Sequence, residues 1–192
     1  MDQIAVPDHR KIIAIVNGYP RSGKDTFVDR ASLQLIRNSW DVYAFSSIDF
    51  VKEITRQFGI PDEPKTPEKR KLWSDIKAAF ESFDRHGSRS VIQSAQRSMR
   101  DHGAICGRHQ VSFIHVREPA VIAFMATNKG DCEFVTIFVD RPDAERVASN
   151  ASDLEVENYS YDFTIKNHGT LEDLEIASRG FVDAIIGERS SQ

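Results

Sequence analysis

The chain has 192 residues, 40% of them hydrophobic and 28% charged, with 25 Lys and Arg against 29 Asp and Glu and a formal net charge of −4. That composition suits one soluble globular core, and its acidic balance argues against nucleic acid as the main partner, because neutralising many phosphates takes an excess of basic charge. The apolar run nearest the start, Ile12 to Val16, is too short for a signal peptide, and nothing approaches the roughly 18 apolar residues of a membrane span.

The expectation is therefore a single cytoplasmic domain over residues 1–192, with no membrane partner and no stable nucleic-acid complex; a homodimer is left open. Cys106 and Cys132 stand far apart with no CxxC pair, which favours two plain thiols over a disulfide or a zinc site.

Apolar runs and amphipathic segments alternate along the chain. Lys11 to Val16 reads as a buried strand feeding a Gly-rich turn and a helix over Lys24 to Arg37, with Phe27, Val28, Ala31 and Leu35 inward. Val42 to Phe45 is a second strand. Ser47 is placed to cap the next helix, whose inner face carries Ile48, Val51, Ile54 and Phe58 before Gly59 ends it.

A Pro-rich linker, Ile60 to Pro67, follows; its Thr66-Pro67 pair opens a helix carrying Leu72, Trp73, Ile76, Phe80 and Phe83. Ser90 to Asp101 is another helix. Val111 to Val116 and Glu133 to Val139 are strands flanking a helix over Ala120 to Ala126, and Tyr161 to Ile165 is a fifth strand. Thr170 and Asp173 form a short-armed capping box for a last helix with Leu171, Leu174, Phe181 and Ile185 on its apolar face. Five strands separated by helices imply an α/β fold of three layers around a parallel sheet.

The sharpest chemical signal follows the first strand: Gly18-Tyr19-Pro20-Arg21-Ser22-Gly23-Lys24-Asp25-Thr26, a GxxxxGK pattern in strand-turn-helix context. Glycines let backbone N–H groups wrap a phosphate chain, the helix N-terminus favours its charge, and Lys24 reaches the transferred group. Gly18, Arg21, Ser22, Gly23, Lys24, Asp25 and Thr26 are the candidate ATP-binding residues, with Lys24 catalytic. Asp25 stands where the usual pattern has a Mg²⁺-holding Ser or Thr, so Asp25, assisted by Thr26, is the candidate Mg²⁺ ligand; the alternative is a helix cap.

With its SGKD ending, this loop resembles that of the bacteriophage deoxynucleoside monophosphate kinases and the related animal-type phosphomevalonate kinases. Ala44 to Glu53 resembles the family stretch that begins the acceptor-binding region, His115-Val116-Arg117-Glu118-Pro119 resembles a family Asp-Val-Arg element, and Tyr161 to Leu174 resembles the final strand and a loop that lies against the donor base.

The resemblance implies a P-loop kinase fold, ATP and Mg²⁺ as cofactors, and a small-molecule phosphate acceptor bound by a region over about residues 46–110. Asp49, Lys52 and Arg117 then serve acceptor binding, Arg117 also catalysis, and Asn167 and Gly169 the nucleotide. Where the family has Asp, this chain has His115, so either Asp25 or Glu118 takes the metal role or catalysis is weaker than the resemblance implies.

Phosphoryl transfer needs positive charge around the moving group. Between Arg85 and His109 there are five arginines against one acidic residue. Arg97 and Arg100 are taken as acceptor ligands because guanidinium grips phosphate bidentately. In this architecture Asp140 to Ser160 looks like a lid, over about residues 141–160, with Arg141 and Arg146 as its catalytic arginines. The acceptor expected is a (deoxy)nucleoside monophosphate; the alternatives are a non-nucleotide metabolite, a modified base in DNA, or a nucleotide-binding regulator with little transfer activity.

Overall fold

The computed structural model describes residues 9–142, 156–157 and 159–187. Within them lie five strands, β1 (Lys11–Asn17), β2 (Asp41–Ser46), β3 (Gln110–His115), β4 (Glu133–Asp140) and β5 (Phe163–Lys166). Six helices accompany them: α1 (Lys24–Arg37), α2 (Asp49–Gln57), α3 (Pro67–Asp84), α4 (His86–Cys106), α5 (Pro119–Thr127) and α6 (Leu171–Gly187). The strands form one sheet in the order β2-β3-β1-β4-β5, with every pairing parallel.

Because β1 is central and covered on both faces, its apolar run is continuous, and its alternate side chains feed two cores. Ile12, Ala14 and Val16 meet Phe27, Ala31 and Leu35 of α1 and Phe181, Val182 and Ile185 of α6. Ile13 and Ile15 meet Ile92, Ala95 and Met99 of α4 and Ile122 and Met125 of α5. The result is helices on both faces of the sheet, the three-layer α/β arrangement expected.

Local signals set several boundaries. The Thr66 hydroxyl accepts a hydrogen bond from the Lys69 N–H at 3.3 Å, with Pro67 in the first turn of α3. The Thr170 hydroxyl accepts from the Asp173 N–H at 3.1 Å and donates to the Asp173 carboxylate at 2.6 Å, so the capping box at α6 is formed.

Other expectations are corrected. Ser47 does not cap α2; the helix begins after Ile48, and the Asp49 carboxylate reaches back to accept from the Ser46 N–H at 2.6 Å. Phe58, Phe83, Leu72 and Leu171 point to solvent, the two phenylalanines almost wholly, whereas Val51, Trp73 and Leu174 are buried. α4 is longer than the helix expected over Ser90 to Asp101. β5 starts two residues late because Asp162 is tied sideways to β4, accepting from the Thr136 N–H at 2.8 Å and its hydroxyl at 2.7 Å.

Candidate active site

All five strands point their carboxyl ends to one edge. There the chain leaves β1 toward β2 on one side and continues from β4 to β5 on the other, and the crevice outside such a reversal is where open parallel sheets bind ligands. The loop of residues 18–23 occupies that position.

Its backbone takes three positive φ angles, 145° at Gly18, 61° at Arg21 and 95° at Gly23. Two of them need glycine for space as well. A Cβ at Gly18 would run into the Val139 carbonyl of β4, and one at Gly23 would stand 2.7 Å from Asn167 Nδ2 and 3.1 Å from Leu174 Cδ1. The loop therefore lies pressed between the ends of β4 and β5 and the start of α6.

Side chains hold it in place. The Asn167 amide donates to the Ser22 carbonyl at 2.9 Å and accepts from the Gly169 N–H at 2.9 Å, joining the loop to the turn after β5. The buried Asn17, absent from the sequence reading, accepts from the Gly18 N–H at 2.7 Å and donates to the Arg117 carbonyl at 3.0 Å and the Tyr161 hydroxyl at 2.7 Å. The Tyr161 hydroxyl in turn donates to the Val156 carbonyl at 2.8 Å, and its ring stacks on Phe138, their centroids 5.2 Å apart. A polar residue closing an apolar strand directly before the loop glycine was the available signal for Asn17.

The Lys24 ammonium folds over the loop, donating to the carbonyls of Gly18 at 2.7 Å and Tyr19 at 2.6 Å. Asp25, its carboxylate almost fully exposed, points across to His115 at the end of β3, with 3.9 Å between Oδ1 and Nδ1. Burial pushes the His115 imidazole below its usual value, while the Asp25 carboxylate pulls the other way. Glu118 is not free to join them: it accepts from Lys77 at 2.8 Å. Burial alone would raise its carboxyl, but the ammonium and neighbouring backbone N–H groups leave it below the usual value.

Asp49 holds Ser46 and lies 3.5 Å from the Lys52 ammonium, on the same carboxyl edge as His115. Arg117 follows β3 beside the loop. Arg141 follows β4, and its guanidinium approaches Gly169.

Arg97 and Arg100 are not gathered there. α4 runs back toward the amino edge of the sheet: Gln96 bonds the Asn128 carbonyl at the end of α5, and the charge of Arg100 acts on Asp131, just before β4. Their removal from the site follows from the direction of α4. Arg146 and most of the expected lid lie outside the described residues.

Two buried polar atoms bear on whether an anion fits. Ser22 Oγ, inside the loop, and Arg141 Nε are buried without a hydrogen-bond partner among the described residues. A loop backbone too close-packed for Cβ atoms, a lysine and these two donors form the donor set a polyphosphate takes. The residues present thus fit ATP. For the metal, the Asp25 carboxylate is a hard oxygen donor at the start of α1, and it fits a divalent cation.

Sheet order, phosphate loop and flanking helices together are those of the P-loop kinase fold. No protein-family model matches the chain and no curated protein sequence matches it, so the resemblance to the phage kinases rests on the motifs quoted above. Among solved structures, the chain is similar to the Mycobacterium tuberculosis APS kinase CysC in complex with AMPPNP and APS, with a TM-score of 0.50, 11% identity, and coverage of 93% of this chain and 99% of that one. It is also similar to APE1195, with a TM-score of 0.51, 16% identity, and coverage of 93% and 98%. At these identities the likeness is one of fold.

Proposed function

We propose that the chain is an ATP-dependent small-molecule kinase, a single domain that transfers the γ-phosphoryl group to a phosphate on a small acceptor, with a (deoxy)nucleoside monophosphate as the acceptor to which the motif resemblance points. The observation that carries the reading is the glycine-dependent loop at the sheet's carboxyl edge with Lys24 lying across it.

In this reading the backbone N–H groups of Arg21, Gly23 and the first turn of α1 bind the donor phosphates, Ser22 and Arg141 offer their unused side-chain donors to the same anion, and Asn167 keeps the loop in register. Lys24 exchanges its two carbonyl partners for the transferred group, where its charge counts most in the transition state. Asp25, with Thr26 beside it, would hold the metal, which when bound neutralises phosphate charge. Asp49 and Lys52 from α2, and Arg117 from the segment after β3, serve the acceptor. Arg141, which follows β4, and the sequence-expected Arg146 supply the remaining positive charge for the transferred group.

The test is incubation with ATP labelled at the γ-phosphate against a panel of ribo- and deoxynucleoside monophosphates, APS, non-nucleotide phosphates and short DNA. Label in a deoxynucleoside diphosphate supports the reading as stated; label in another small acceptor keeps the kinase and replaces the acceptor. AMPPNP binding with no acceptor labelled would make the chain a nucleotide-binding regulator.

A further inference from the structure

His115 makes no side-chain hydrogen bond to the described residues, yet three-quarters of its side chain is buried, and it ends β3 directly opposite Asp25. The imidazole is thus half enclosed, with an unused nitrogen turned toward an almost fully exposed carboxylate, where it stays open to a ligand.

Two of the nearby carboxylates that could compete for a role here are otherwise engaged. Glu118 is held by Lys77, and Asp49 by the Ser46 N–H and Lys52. Asp29, one turn further along α1, also acts on the imidazole, but Asp25 is the carboxylate that comes within 3.9 Å of it, and these two form the pair. Two donors of one ion at roughly 2.0–2.2 Å each can stand at most about 4.4 Å apart; the observed 3.9 Å lies inside that span, and the exposed Asp25 side chain has room to turn.

Resting on the kinase reading, we infer that Asp25 and His115 together form a mixed oxygen and nitrogen site for the nucleotide-associated cation, selecting a first-row transition-metal ion such as Mn²⁺ over Mg²⁺. An all-oxygen set suits Mg²⁺, whereas imidazole is a softer donor that favours transition metals. The position after Lys24 is the metal-holding one in phosphate loops, so the imidazole faces the ion's place directly.

The experiment uses the full chain with AMPPNP and Mn²⁺, read by pulsed EPR for nitrogen coupling from a coordinated imidazole, with the ratio of Mg²⁺ to Mn²⁺ dissociation constants measured by competition. Imidazole coupling is expected in the wild type and absent in His115→Asp, whose preference for Mn²⁺ over Mg²⁺ falls about tenfold. If that variant does not fold, His115→Gln replaces it; the wild-type spectrum is decisive in either case. Joint binding of Mn²⁺ and AMPPNP without imidazole coupling, or an unchanged ratio in the folded variant, overturns the mixed site while leaving the kinase intact. Failure of AMPPNP to bind with either metal overturns the kinase reading and the metal site together.

Discussion

Lys24 is bonded to two carbonyls of the loop it follows, so the loop keeps its shape around a positive charge of its own. Lys24→Ala should lower kcat by orders of magnitude while the protein stays folded, because a charge following the phosphoryl group is worth most in the transition state. Steady-state kinetics beside a melting curve check this, and unchanged turnover would remove the phosphate-loop reading. Gly23 makes a different claim. Its φ of 95° and the nearness of Asn167 Nδ2 and Leu174 mean that Gly23→Ala both strains the backbone and pushes on the amide that fixes the loop. A loss of about 1–3 kcal/mol in stability is expected, with a smaller thermal shift on adding AMPPNP than in the wild type. Normal stability and a full shift would show that the loop has more room than its packing indicates.

Helices show where sequence reasoning holds and where it stops. Thr66-Pro67 and the Thr170–Asp173 box were legible because a cap is decided by residues within one turn of each other. Phe58 and Phe83 turn outward because the burial of a helix face depends on what packs against it, which periodicity does not contain, and Ser47 loses the cap because α2 begins after Ile48, with Asp49 reaching back to the Ser46 N–H. Arg97 and Arg100 have the right chemistry on a helix whose direction carries them to the far edge of the sheet. The Lys77–Glu118 bridge, joining α3 to the start of α5, was invisible for the same reason: its members are 41 positions apart.

That bridge gives a pH prediction. Glu118 sits below its ordinary carboxyl value of 4.5, so its contribution is present above that value and is lost as the pH falls through the folded one. Lys77→Met leaves burial of the carboxylate opposed only by the nearby backbone N–H groups, so its pKa rises. Stability should drop by about 1–3 kcal/mol near neutral pH, and acid unfolding should begin at higher pH. Urea denaturation of both proteins from pH 7 to pH 4 measures this; coincident curves would show the bridge to be energetically idle.

At the scale of the molecule, the α/β class and the place of the loop of residues 18–23 between β1 and α1 are legible in the alternation of runs and one spaced motif, since both are written in contiguous residues. The wiring that positions the loop is not. Asn17, Tyr161 and Asn167 act across separations of more than 100 positions, and nothing local marks their pairing. With a net charge of −4, and with Arg97 and Arg100 at the edge away from the loop, duplex DNA should show no measurable binding at physiological salt. Fluorescence anisotropy with a labelled duplex tests it, and micromolar binding that weakens steeply with salt would revive a polymer substrate.

Asn17 also fixes what in this protein can move. One buried amide reaches the loop after β1, the backbone after β3 and the tyrosine before β5, so the carboxyl ends of β1 and β3 and the entry to β5 form a knot that cannot fan apart without breaking several hydrogen bonds at once. Any closure around substrate must therefore be made by chain outside the knot swinging against it. In hydrogen–deuterium exchange the Gly18 amide should rank with the sheet interior among the slowest in the molecule, a loop residue behaving as core.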